Sequence, residues 1–281
     1  MSLRDKTLFI TGASRGIGLA IGLRAARDGA NVVIAAKTET PHPKLPGTIH
    51  TAAQEVEKAG GRALPIAMDL RHEEQVEAAV EKAVATFGGI DILVNNASVM
   101  YREGTMQTAA KRFDLLFDVN VRGTYLVTQQ CIPHLRRAAN PHVLTIAPLL
   151  MLDEPGKYAG FPAYMVSKFN MSLLTMAFAE EFAADGIAFN ALWPRLAIWT
   201  AAHRAVRGDA ARTRTRKPEI MADAAWHIFQ QDARTFTGRF TLDDDVLRDA
   251  GVVDLTPYYF DDGNPAEMNK SLQVSHGLYT V

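Results

Sequence analysis

An α/β protein built on an open, doubly wound parallel sheet is what this sequence predicts, on three observations. Short runs rich in Val, Ile and Leu alternate with longer stretches of helical spacing along most of the chain. Those runs are apolar on both faces, as strands covered by helices on either side must be. The first of them leads directly into a glycine-rich turn that opens a helix.

Taken in order, the strand candidates are 7–10 (TLFI), 31–36 (NVVIAA), 62–68 (RALPIAM), 91–94 (DILV), 142–146 (HVLTI) and 187–192 (IAFNAL). Helical spacing marks 15–29, 51–60, 73–88, 106–138 and 164–186, and several of these stretches end in Gly, a common C-terminal stop. Strand–helix alternation throughout selects a doubly wound sheet over a sandwich or bundle. Residues 37–50 (KTETPHPKLPGTIH) form a Pro-rich loop longer than a standard βα turn, and 193–220 reads as a mixed, mobile segment. We expect a single domain over 1–245, with 246–281 an extension packed on the domain or on a neighbouring subunit.

Composition narrows the function classes. The chain is 48% hydrophobic and 22% charged with a formal net charge of −1, ordinary for a globular core and without the basic excess of a nucleic-acid or membrane-surface binder. A lone cysteine, Cys131, excludes an internal disulfide framework and fits a reducing compartment, so a cytoplasmic location is expected. The histidines show no metal-ligand spacing, and no metal is expected. The start of the chain lacks the apolar stretch of a signal peptide, and no run of 18 apolar residues suggests a membrane span.

The turn TGASRGIG places Gly12, Gly16 and Gly18 between the first strand and first helix. Glycine there lets a phosphate approach the backbone, and the helix N-terminus offers free N–H groups and a positive dipole end. The spacing is G-xxx-G-x-G rather than G-x-G-x-x-G, but its strand–turn–helix setting supports a Rossmann-like dinucleotide site. An NAD site places an acid about 20 residues on, at the end of the second strand. Here stand Ala36, Lys37 and Thr38, with no acid until Glu39 in the loop. Arg15 and Lys37 would suit a 2′-phosphate, so NADP(H) is expected, with NAD(H) the alternative if Glu39 reaches the ribose.

Tyr164 and Lys168 are one helical turn apart, where an ammonium can favour ionisation of a phenol. With TGASRGIG (11–18), NNAS (95–98), Asn120 in VNVRG, YMVSK (164–168) and NALWP (190–194) in this order, the chain resembles the short-chain dehydrogenase/reductase family over about 5–245. NALWPR, KPEIMADAAWHIF and FTGRFTLDDDVL resemble its hydroxysteroid dehydrogenase-like branch, some of whose members carry an added sterol-carrier domain; the length of this chain leads us to expect none in it. The resemblance implies an oxidoreductase that interconverts a carbonyl and a secondary alcohol on a small, lipid-like substrate. It assigns proton exchange to Tyr164, ribose binding and charge to Lys168, and a water relay to Asn120. Cofactor contacts are implied for Gly12, Ser14, Arg15, Gly16, Ile17, Gly18, Lys37, Asp69, Leu70, Asn95, Asn96, Ala97, Tyr164, Lys168 and Pro194. A homodimer or homotetramer is the family's usual assembly. Read alone, Asp69 would equally serve as a cap for a helix beginning near His72.

The family's usual Ser at the end of the fifth strand is missing: Ala147 and Pro148 stand there. Ser98, Thr145 or Tyr158 would have to supply a hydroxyl, or the Tyr–Lys pair works without it, or the fold binds NADP(H) without turnover. The last reading, a non-catalytic sensor or scaffold, is the rival to an enzyme; a structural subunit of a mixed oligomer is a third idea. Downstream, Trp193, Leu196, Ile198 and Trp199 read either as an apolar substrate wall or as lid packing. The basic run 203–217 reads either as an anion-binding surface or as a solvated face.

Overall fold

The computed structural model describes residues 2–42, 45–149 and 160–260. Seven strands form one parallel sheet: β1 (Thr7–Thr11), β2 (Asn31–Ala36), β3 (Arg62–Ala67), β4 (Ile92–Asn95), β5 (His142–Thr145), β6 (Ala188–Trp193) and β7 (Phe240–Leu242). Their order is β3-β2-β1-β4-β5-β6-β7. Six were expected. The seventh, three residues long, pairs in parallel with β6 through Ala191↔Phe240 and Trp193↔Leu242, and is too short to carry a period of its own.

The helices are α1 (Gly16–Ala26), α2 (Ile49–Lys58), α3 (Glu73–Phe87), α4 (Ala110–Leu116), α5 (Gly123–Leu135), α6 (Pro162–Glu181), α7 (Ala201–Arg207), α8 (Glu219–Phe229) and α9 (Asp243–Asp249). One buried layer joins Ile21, Val32, Ile34, Val56, Ile220 and Ile228. The other joins Phe9, Val33, Val76, Val127, Cys131 and Phe189 on the opposite side of the sheet. Successive strand residues point to opposite faces, so Val32 and Val33 serve different layers, which is why these strands are apolar throughout.

The expected long helix over 106–138 is three pieces. Between α4 and α5, Phe117–Arg122 forms a π-helical turn. Such turns are rare and cluster at functional sites. Asp69 does not cap α3: His72 occupies the N-cap position without a side-chain bond, and Asp69 holds Arg71 instead, Oδ2 to Nη2 2.7 Å. Within 193–220, ordered turns replace the expected mobile segment: α7 is followed by a 3-10 helix, Asp209–Arg214. α9 runs across the boundary expected at 245/246, and beyond it the Tyr258 hydroxyl donates to Asp223, 2.7 Å, while Tyr259 is buried. Among the described residues no helix is long and apolar enough to cross a membrane and no group of acids, His and Cys could hold a metal.

Chain order reverses direction at β1, which lies between β2 and β4. Open α/β sheets place their ligand crevice at the carboxyl ends of strands at such a switch point, and the glycine turn follows β1 there.

Candidate active site

Gly12 and Gly16 adopt φ of +68° and +63°, the left-handed region that glycine enters without a Cβ clash. A Cβ on Gly12 would lie 2.9 Å from Ala97 Cα, and one on Gly18 2.5 Å from Asn96 Nδ2. The turn is therefore packed directly on the strand end at 95–97. Thr11 makes the joint: its hydroxyl donates to the Val94 carbonyl (3.2 Å) and accepts from the Asn96 and Ala97 amides (both 3.0 Å). Asn96 Nδ2 donates back to the Thr11 carbonyl, 2.8 Å. α1 then begins with no side-chain cap and no acid in its first turn. Its first N–H groups lack intrahelical partners, and Gly16 and Ile17 line a cavity of about 470 Å³. A Cβ-free cradle beside an uncapped helix end fits a pyrophosphate.

Two cations stand at the β2 end of the cavity. Arg15 donates from Nε to the Pro46 carbonyl (2.7 Å) and from Nη2 to the Gly47 carbonyl (2.6 Å), fastening the Pro-rich loop over the turn. These partners are neutral, so its charge is uncompensated by them. Lys37 lines the cavity as well, while Glu39 does not. Asp69 is also on the wall, but the Arg71 guanidinium holds its carboxyl down to about 2, so it is a fixed, paired anion.

Tyr164 lies in the first turn of α6, which opens with Pro162 at a helix start where a missing N–H costs nothing. Lys168 is fully buried one turn on; its Nζ donates to the Ile146 carbonyl at 2.6 Å and lies 3.2 Å from Met171 Sδ. Among the described residues no acid pairs with it, and burial draws its ammonium down to about 7. Burial pushes the Tyr164 phenol up to about 12, opposed by the charge of Arg102. This is opposite to the lowering expected from the Tyr–Lys spacing: desolvation outweighs any help from an amine that is itself poorly charged. Asn120 sits in the π-helical turn, its Oδ1 accepting from the Val99 amide (2.8 Å) and its Nδ2 donating to the Val99 carbonyl (3.0 Å) and to Ser167 Oγ (2.9 Å). Ser167 donates on to the Tyr164 carbonyl, 2.7 Å. Asn120 thus ties the 95–99 loop to the start of α6.

Of the residues expected at the site, Gly12, Ser14, Arg15, Gly16, Ile17, Lys37, Asp69, Leu70, Asn96, Ala97, Tyr164, Lys168 and Pro194 line the one cavity. Gly18, Asn95 and Asn120 do not line it; Asn95 donates to Thr128 Oγ1 at 3.0 Å. Ala147 packs on Met171 and Ala191 and is not on the wall. Of the three hydroxyl candidates, Ser98 lines the cavity, Thr145 is buried in β5 and does not, and Tyr158 lies outside the described residues. Trp193 and Ile198 line it, whereas Leu196 packs on Tyr259 and Trp199 turns to His203. Thr11, Thr38 and Thr200 were not singled out from the sequence. A Thr at a strand end is unremarkable until its hydroxyl is seen holding a neighbouring strand.

A profile described as short chain dehydrogenase matches residues 6–210. The chain is 52% identical to hydroxysteroid dehydrogenase-like protein 2 of Danio rerio, covering 96% of this chain and 67% of that protein. With the Homo sapiens protein of the same name the figures are 51%, 93% and 62%. The chain therefore spans about two thirds or less of the length of these relatives. The crystal structure of a Xanthomonas campestris protein superposes with a TM-score of 0.89 at 54% identity, over 93% of this chain and 96% of that one. More distantly, a Burkholderia cenocepacia short chain dehydrogenase in complex with NADP gives 0.74 at 26% identity (86% and 97% covered). A 3-ketoacyl-(acyl-carrier-protein) reductase from Brucella melitensis complexed with NADH gives 0.72 at 31% (86% and 97%).

Proposed function

The chain belongs to the short-chain dehydrogenase family, and from that premise we propose that it interconverts a carbonyl and a secondary alcohol with NADP(H), using Tyr164 as its proton-transferring group. The observation that carries this is the placement of Tyr164 and Lys168 on the wall of the same cavity as the uncapped glycine turn. The nicotinamide cofactor supplies or accepts the hydride. A phenol held neutral by its surroundings is the right state to protonate a carbonyl oxygen; the phenolate left behind would be countered by Arg102 and by Lys168 once that amine takes up a proton. NADP(H) over NAD(H) is supported by Arg15 and Lys37 and by the absence of an unpaired carboxylate among the described residues of that wall. Ser98, exposed and among the described residues bonded only to the Val99 carbonyl at 3.3 Å, is the available hydroxyl there for orienting the substrate. Trp193 and Ile198 favour an apolar, lipid-like body next to the carbonyl.

The rival is a non-catalytic NADP(H)-binding protein, favoured by the apolar surroundings of Ala147 and the high phenol pKa. A panel of aldehydes, ketones and alcohols with NADPH, NADP⁺, NADH and NAD⁺ separates the two. For the enzyme, Tyr164→Phe lowers turnover at least about 100-fold with coenzyme affinity unchanged, and the phosphorylated coenzymes are preferred. Tight coenzyme binding without turnover anywhere in the panel would decide for the rival. Exposed Val166, Leu173 and Met176 on α6 and Tyr125 on α5 support a homodimer or homotetramer. A cytoplasmic location accords with the single reduced thiol and is tested by fractionating cells that express the tagged chain.

A further inference from the structure

Two segments bring basic side chains to the cavity that Tyr164 lines or to its edge. Arg102, in the loop after β4, lays its guanidinium 4.5 Å over the Phe161 ring, and Phe161 neighbours Tyr164 with ring centroids 6.4 Å apart. From α7, His203 lines the cavity and Arg207 follows one turn later. The groups sense one another: the charge of Arg207 lowers the pKa of Arg102, and both arginines lower that of His203, in each case behind desolvation as the largest cause.

Among the described residues, the two acids adjacent in sequence to these cations are already engaged. Glu103, adjacent to Arg102, pairs with Arg112. Asp209, two residues beyond Arg207, pairs with Arg204, 2.6 Å from its Nε. Among the described residues this leaves Arg102 and Arg207 with no carboxylate in ion-pair contact. Like charges gathered without a counter-ion repel, and a guanidinium stacked on a ring keeps its donor fork oriented. Such a group is arranged to receive an oxyanion. The coenzyme's own phosphates have separate candidates in the α1 terminus, Arg15 and Lys37.

We propose that Arg102, His203 and Arg207 form an anion subsite, and that the substrate carries a carboxylate or phosphate group bound there while its carbonyl or alcohol carbon faces Tyr164. The substrate class rests on the oxidoreductase reading above; the subsite itself does not. No bond is made or broken at the subsite: the anion accepts hydrogen bonds and offsets the charge.

The test measures binding, so that it is independent of turnover. Decanoate, decyl phosphate and neutral 1-decanol are titrated by calorimetry into the full chain, with and without NADP⁺. At least one anion should bind at least about tenfold more tightly than the alcohol, a difference of about 1.4 kcal/mol. In Arg102→Gln/Arg207→Gln that advantage should fall below about threefold, and it should shrink with salt. Arg102→Lys, which keeps charge but loses the fork, should be intermediate. Equal binding of all three ligands, or an advantage that survives the double substitution, overturns the proposal. So does a double variant that loses NADP⁺ affinity while its anion binding is untouched, which would assign these cations to the coenzyme. Absence of hydride transfer in the earlier panel would overturn the oxidoreductase reading and leave this binding result standing.

Discussion

Lys168 is enclosed with a backbone carbonyl and a thioether sulfur for neighbours, and its ammonium titrates near 7 instead of 10.5. Across that interval the unfolded chain binds a proton the folded chain has released. Stability therefore rises with pH between about 7 and 10.5, and is lost as pH falls toward 7. Lys168→Met removes that slope. Near neutrality the variant should be more stable than the parent by on the order of 1–4 kcal/mol, with the gap closing toward pH 10. Urea unfolding across this range checks it; parallel stability profiles would refute the assignment. Tyr164 acts with opposite sign, its raised pKa making stability fall as pH climbs from 10 through about 12, and it does so in both proteins. At this scale the sequence placed Tyr164 and Lys168 on one helix face, because a spacing of four residues fixes it, and both line the one cavity. It did not reveal their protonation, because desolvation depends on neighbours such as Met171 and Ile146 whose approach no local pattern encodes.

The segment between β6 and α8 is clasped at both ends by one acidic run at the start of α9. Arg195 bonds Asp244 (2.7 Å) and Asp245 (2.6 Å), and its amide donates to Asp243 (3.0 Å). From the far end, Arg216 Nη2 reaches both Asp243 oxygens at 2.8 Å, with both side chains buried. Arg195 thus anchors the chain directly after Pro194. Arg216→Met strands the Asp243 charge and should cost roughly 3–5 kcal/mol, since breaking a buried pair leaves one ion uncompensated. Arg216→Met/Asp243→Leu, removing both charges, should recover most of that in urea unfolding. A single variant within about 1 kcal/mol of the parent would show the clasp to be dispensable. The six longer strands and most helix positions were legible because apolar runs and helical spacing extend over several residues. β7 was not: three residues carry no period. Nor was the π-helical turn around Asn120, since a wider hydrogen-bond register has no composition of its own.

For the molecule as a whole, the two-sided core and the glycine turn were readable in advance, since strand–helix alternation and the strand–turn–helix setting point to them; the switch point was not, because it is set by the spatial order of the strands. The anion rim was not: the run 203–217 showed charge, but not that Asp209 is spent on Arg204 while Arg207 is left over. Assembly is the other whole-molecule matter. Val166, Leu173 and Met176 fall on one face of α6, each at least 37% exposed, and a second copy would remove that apolar surface from water. If the parent is larger than a monomer by light scattering at micromolar concentration, Leu173→Glu should reduce it to the monomer; a monomeric parent, or a mass unchanged by the substitution, would refute this role for the α6 face. The same molecule has a single thiol, Cys131, shut inside the layer between α5 and the sheet and pushed well above its ordinary pKa by burial. A cysteine introduced at exposed Val206 on α7 would then be the sole site open to a maleimide dye, so movements of that helix on coenzyme addition could be followed by fluorescence without first engineering a thiol-free background.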